Sequence, residues 1–254
     1  MPESHDSEGK YVYCVIQCDQ GPQLTTLGMG ERGDVVYTIH EEGLAAVVSD
    51  SPIVRYDALR RNMMAHTRVL EEVMQHFTIL PVRYGTIAPD ADIVRKKLLG
   101  ERREELLTLL QDMEGRVELG LKAFWHEDTL FPEIVASNPS IRVLRDSLMG
   151  RPAEETHFER MRLGEMVEAA IEQKREQDAE LILSRVRPLV QRLEINRTRG
   201  DRMVLNAALL VDQSSEPAVD EAVQELDARL GHRLMFKYVG SVPPYNFVSL
   251  TVHW

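Results

Sequence analysis

Ile79-Leu80-Pro81-Val82-Arg83-Tyr84-Gly85-Thr86 is the stretch on which the reading of the fold turns. Taken as a short strand ending at a glycine, it puts Leu80, Val82 and Tyr84 on one face and Ile79, Pro81 and Arg83 on the other, because successive side chains alternate. Proline cannot donate to a ladder, so the strand is predicted to be an edge, or to be paired on one side only at Pro81. Arg83 falls on a largely apolar face. Its guanidinium must reach solvent over a packed stem or find an acceptor, since an unpaired buried cation is very costly.

Upstream, Asp57 to Phe77 carries Leu59, Met63, His66, Leu70, Val73 and Phe77 at alternating spacings of four and three, which predicts one amphipathic helix. His66 on that stripe reads as a core histidine bonded to a neighbour rather than a catalytic base, because no nucleophile or carboxylate partner can be named for it. DVVYTIH and GLAAVVSD, separated by Glu41, Glu42 and Gly43, predict a hairpin whose second strand is apolar on both faces and therefore central. Asp50, just before Ser51 and Pro52, reads as a turn aspartate. Gly28, Gly30 and Gly33 spell a literal GxGxxG, yet they lead into a strand and not a helix, so a dinucleotide site is rejected in favour of a flexible connection. KYVYCVIQC reads as a strand, and the polar residues 1–9 as a disordered tail.

Downstream, Pro89 and Asp90 open a second helix from about Ala91 to Met113, which Gly100 interrupts at a cost of about 1 kcal/mol relative to alanine, so two shorter helices or a bend are expected. A domain boundary is expected near Gly115, giving an N-terminal α+β domain over 10–114 and a C-terminal one over 115–254. The second domain starts with the strand RVELGLKAFW. The proline-punctuated FPEIVASNPSIRVLRDSLMGRP holds short helices at most, and a long helix then runs from Ala153 to about Leu193, with Pro188 kinking its last turns. Its middle, EQKREQDAE, is polar all round, a solvated bridge or a docking face. MVLNAALLVD, a helix over SEPAVDEAVQELDARLG capped at Ser215 and stopped by Gly231, and HRLMFKYVG complete a β, α, β, α, β series. The fold class expected is α+β, two domains with mainly antiparallel sheets, the C-terminal one ferredoxin-like. One strand of that pattern is missing. SVPPYNFVSLTVHW either supplies it or reaches back to pair with the edge at Pro81.

The chain has 254 residues, enough for two modest cores, with 43% hydrophobic and 28% charged content, so a globular protein is expected. Its formal net charge of -11 opposes binding to phosphate backbones or anionic membranes. The polar N-terminus and the lack of a long apolar run point to a cytoplasmic protein. Cys14 and Cys18, ~13 Å apart on an extended strand, are too far apart for a disulfide and lack the partners of a zinc site. No P-loop, HExxH, GxSxG or paired-cysteine motif is present, so no catalytic residue, metal or cofactor is expected.

GLAAVVSD, the histidine of the following helix, LPVRYGT, LGEMVEAAIEQKREQDAELI, LNAALLVD and GSVPPYNFV, in that order from about Lys10 to Val248, together resemble the GvpF/GvpL family of gas vesicle accessory proteins. Family members usually place a proline and a tryptophan before the proline pair, where this chain has Ser241 and Val242. The resemblance implies a non-enzymatic role in building gas vesicles, the hollow protein shells that give microbes buoyancy. The partners it implies are the major shell protein and other accessory proteins, met during assembly or within the vesicle. The candidate contacts are Arg83 and Tyr84 at the sheet edge, where strand addition would suit capture, Lys174 and Arg175 on the long helix, and Tyr245 and Phe247 near the C-terminus. The competing readings are an enzyme or small-molecule binder on a ferredoxin-like scaffold, with Asp50, His66 and Arg83 meeting in a pocket, and a self-assembling structural subunit.

Overall fold

The computed structural model describes residues 8–254. Of the predicted tail, 1–7 lie outside the described residues, whereas Glu8 and Gly9 are not tail at all, since they open the first strand. The chain is α+β and clusters into two units. One comprises the residues up to Glu118 together with Ser241–Trp254, and the other is Leu119–Gly240. The C-terminal tail, expected with the second unit, is thus grouped with the first.

In the first unit β1 (Glu8–Gln17), β2 (Val36–Glu41) and β3 (Leu44–Pro52) precede α1 (Arg60–Met74), β4 (Leu80–Pro81) and β5 (Ile87–Ala88). The sheet order is β2-β3-β1-β4, with β5 also on β1, and every one of these pairs is antiparallel. Tyr11 to Ile16 of β1 are buried without a break, the pattern of a strand covered on both faces. Glu42 and Gly43, both at positive φ, make the two-residue turn between β2 and β3, a geometry that glycine adopts without steric cost. Asp50 lies inside β3, not in a turn.

α1 is shorter than its apolar stripe. Its buried side is His66, Val69, Leu70 and Val73, while Leu59, an extended residue ahead of the first helical one, and Met63 in the first turn are exposed. The second helical stretch is divided, as its glycine foretold. α2 (Ala91–Ile93), capped by the Asp90 carboxylate accepting from the Ile93 amide at 2.8 Å, runs into a π-helical Val94–Gly100, and α3 (Arg103–Met113) follows.

The second unit's sheet holds β6 (Arg116–Trp125), β7 (Arg192–Ile195), β8 (Met203–Asp212) and β9 (Leu234–Val242) in the order β7-β8-β6-β9. Between β6 and β7 stand α4 (Glu127–Ser137), α5 (Pro139–Leu148) and the 30-residue α6 (His157–Val186), and α7 (Glu216–Leu230) joins β8 to β9. β7 corrects the sequence reading. The long helix stops at Val186, Pro188 ends it in a single 3-10 turn rather than kinking it, and four residues expected in helix or loop form a strand. Arg192 and Glu194 suit that edge position by keeping charge on an open ladder. α7 begins after Ser215, but the serine side chain makes no capping bond there.

The polar middle of α6 is anchored rather than solvated all round. The buried Asp178 carboxylate accepts two bonds from the Arg233 guanidinium, both at 2.7 Å, and one from the Trp125 indole at 2.8 Å. Burial pushes this carboxyl up, but the Arg233 and Trp125 bonds and the Lys174 charge outweigh it and hold the group below the usual carboxylate range. Truncating Asp178 would strand a half-buried guanidinium, a lesion worth about 3 kcal/mol or more.

Candidate partner-binding surface

β1 and α1 set the base of the surface in the first unit. Tyr11 and Tyr13 stand two residues apart on the same strand, and their ring centroids lie 4.8 Å apart. His66 of α1 stacks on Tyr13 at 5.6 Å and meets Tyr84 edge-on at 5.5 Å, and Tyr245 lies over it at 6.4 Å. The Tyr11 hydroxyl bonds His66 Nδ1 at 3.1 Å and accepts from the Gly85 amide at 3.0 Å. His66 is therefore a core histidine with a bonded neighbour, as its place on the stripe predicted. Its Nε2 is buried with no hydrogen-bond partner among the described residues. Burial holds the imidazole neutral down to about 4 and pushes the Tyr13 and Tyr245 phenols up to about 12, so no member of this cluster is ionised at neutral pH.

The deciding stretch is more turn than strand. Only Leu80 and Pro81 pair with β1, Val82 donates its amide to the Tyr13 carbonyl at 2.9 Å, and the chain then reverses through Arg83, Tyr84 and Gly85, the last at φ 81°. Ile79 to Val82 are all buried, so both faces of this stretch are covered, and Arg83 carries its charge to solvent. The Tyr84 hydroxyl donates to the Asp57 carbonyl at 2.9 Å.

The outer side of this edge is already occupied. The Leu250 amide donates to the Pro81 carbonyl at 3.0 Å, the Arg83 amide donates to the Leu250 carbonyl at 2.9 Å, and Val82 and Leu250 form a parallel bridge. Of the two fates considered for SVPPYNFVSLTVHW, it is the return to Pro81 that occurs. Pro243 and Pro244 start the return, with the Tyr245 amide on the Pro243 carbonyl and the Phe247 amide on the Pro244 carbonyl. The buried Glu118 carboxylate, unnoticed in the sequence, receives the Asn246 amide at 2.9 Å and holds the turn in place. Burial raises its pKa. Beyond Leu250 the chain, to Trp254, lines a cleft of about 740 Å³ together with Arg55, Tyr56, Met63, Arg83 and Tyr84.

Arg83, Tyr84, Tyr245 and Phe247 thus fall within one region of the first unit. Lys174 and Arg175 lie in the second unit and are engaged within it. Lys174 pairs with Glu133 at 2.6 Å, while Arg175 donates to the Met203 and Asp201 carbonyls at 3.0 and 3.1 Å and covers the Trp125 ring. Asp50, His66 and Arg83 do not meet. Asp50 bonds Lys10 and the Tyr37 hydroxyl, His66 bonds Tyr11, and the Arg83 side chain is in solvent. Cys14 is buried and Cys18 half-buried, both as free thiols. Among the described residues no helix is long and apolar enough to cross a membrane.

The family described as gas vesicle synthesis protein GvpL/GvpF matches residues 9–249. Gas vesicle protein F of Nostoc sp. strain PCC 7120 is 26% identical over 247 residues, spanning 96% of this chain and 100% of the relative. Gas vesicle protein F of Streptomyces sp. strain CB03234 is 31% identical over 241 residues, spanning 94% and 99%. The crystal structure of gas vesicle protein GvpF from Anabaena sp. PCC7120 superposes with a TM-score of 0.82 at 26% identity, covering 96% of this chain and 100% of that one.

Proposed function

The chain belongs to the gas vesicle synthesis protein GvpL/GvpF family, and we propose that it acts as a non-enzymatic assembly factor that binds the major gas vesicle shell protein, other accessory proteins, or both. The observation that carries this reading is the family match from residue 9 to residue 249, which takes in both structural units. Physical chemistry supports it. A shell subunit that polymerises through apolar surfaces and strand edges needs a soluble partner covering them before incorporation, and a chain of net charge -11 stays dispersed while it does so. Contact is proposed at Arg83, Tyr84, Tyr245 and Phe247. Arginine and aromatic side chains such as these are the kinds that dominate interface energies. Lys174 and Arg175 contribute less, because their heads are held by Glu133 and by backbone carbonyls. The protein would be found in the cytoplasm and on the gas vesicle.

The test is co-elution with the major shell protein, freshly diluted from denaturant, on a sizing column with light scattering. A soluble complex is expected, lost with Arg83→Ala plus Tyr84→Ala and kept with Glu176→Ala, an exposed control on α6. Precipitation of the shell protein as if alone would sink direct capture and leave the other accessory proteins as partners.

A further inference from the structure

α4, α5 and α6 enclose an apolar groove of about 940 Å³ in the second unit that neither the family resemblance nor the aromatic cluster accounts for. On α6 it is lined at i, i+3, i+4 and i+7 by Arg160, Leu163, Gly164 and Val167, which is one continuous helix face. Phe131, half exposed, and Val135 of α4 and the buried Ile141 of α5 complete its apolar lining. Two features set this groove apart from a packing defect. Gly164 lies in the interior of a 30-residue helix, where glycine weakens the helix relative to alanine, yet a Cβ built there meets nothing within 4 Å. The chain's own packing therefore gives no reason for a glycine, whereas close approach of another backbone does. The second feature is charge. In a chain of net charge -11, no acidic residue among those described lines the groove, while Arg142 and Arg145 of α5 and Arg160 of α6 do. Arg145 pairs with Asp146, but neither Arg142 nor Arg160 has a carboxylate partner among the described residues.

We infer that this groove receives an amphipathic α-helix of a partner protein, with its apolar stripe laid over Gly164 and carboxylates beside that stripe meeting the lining arginines. A helix fits because the walls are themselves helices and present no strand edge, because an apolar stripe at i, i+3, i+4, i+7 matches the floor, and because a floor without a side chain shortens the interaxial distance. Carboxylates beside the stripe follow from the arginines that α5 and α6 bring to the groove. The inference rests on the reading of the chain as a binding protein but not on the identity of its partner.

The probe is a fluorescein-labelled designed helix of about five turns with a leucine stripe and glutamate flanks, compared with the same stripe flanked by lysines, titrated against the full chain by anisotropy. The acidic helix is expected to bind about tenfold or more tightly than the basic one. Arg142→Glu should remove much of that preference, and Gly164→Leu should abolish binding of both peptides without lowering the melting temperature. Gly164→Ala should raise the melting temperature. Equal affinity for the two peptides, binding that survives Gly164→Leu, or a lower melting temperature for Gly164→Ala would each overturn the proposal. Light scattering that showed a dimer dissociated by Gly164→Leu would overturn it in favour of a second copy as occupant. Co-elution with the shell protein that persists in both Arg142→Glu and Gly164→Leu would leave the proposed function standing and remove the groove from it.

Discussion

His66 shows how a single residue can be read correctly and still be incompletely specified. Its place on an apolar stripe marked it as a core residue, but its hydrogen-bond partner, Tyr11, is 55 positions away, and nothing local points there. The burial that silences it as a base also ties it to stability. Folded, the imidazole stays neutral to about 4, whereas in an unfolded chain it protonates near its ordinary value of about 6.5. Between those values the unfolded chain binds the extra proton, so the contribution is complete above the upper value and is lost as pH falls through the window, ~3 kcal/mol in all. Denaturant titrations at steps across that window should show the decline. His66→Phe, which retains the ring packing and removes the buried unpaired Nε2, should flatten it. An unchanged slope in the variant would assign the acid sensitivity to other groups.

At the scale of elements, the C-terminal segment behaves as a strand supplied late to an edge left open by Pro81. Backbone donors and acceptors in a buried strand must be paired, and Leu250 supplies the partners that β1, occupied on its own side, cannot. Removing Leu250 to Trp254 should therefore speed hydrogen exchange at the Arg83 amide by orders of magnitude, while the Val82 amide, bonded to Tyr13 on the inner side, keeps its protection. Mass spectrometry with fragmentation, or NMR, would separate the two. Equal loss at both sites would mean that the segment supports the whole edge and not one face of it. β7 illustrates the converse. Arg192-Leu193-Glu194-Ile195 has the composition of a helix tail, and only pairing with β8 makes it a strand.

For the whole molecule, charge is the property legible without a fold. Acidic groups exceed basic ones by eleven, and the balance point lies near pH 5.3. Solubility should pass through a minimum near that value, and at neutral pH and moderate salt the chain should not retard duplex DNA in a gel. Retardation under those conditions would reveal a basic surface that the sequence average conceals. The arginines lining the groove are too few to act in that way, since phosphate-backbone affinity grows with the number of charges neutralised.

By itself the sequence determined the α+β class, β1 as a strand, the β2-β3 hairpin with its central second strand and the division of the second helical stretch. Each is encoded in local periodicity, turn chemistry or a single glycine, and these act within a few residues. The order of its motifs was also enough to indicate the family. Tertiary structure alone decided that four residues after α6 are a strand and that Leu250 occupies the Pro81 edge. It also decided that Lys174 and Arg175 face inward to waiting acceptors and that α4, α5 and α6 leave a groove over Gly164. Those outcomes depend on which long-range partner reaches a group first with satisfied hydrogen bonds and buried apolar area, and pairings between residues more than 160 positions apart leave no mark in the spacing of either.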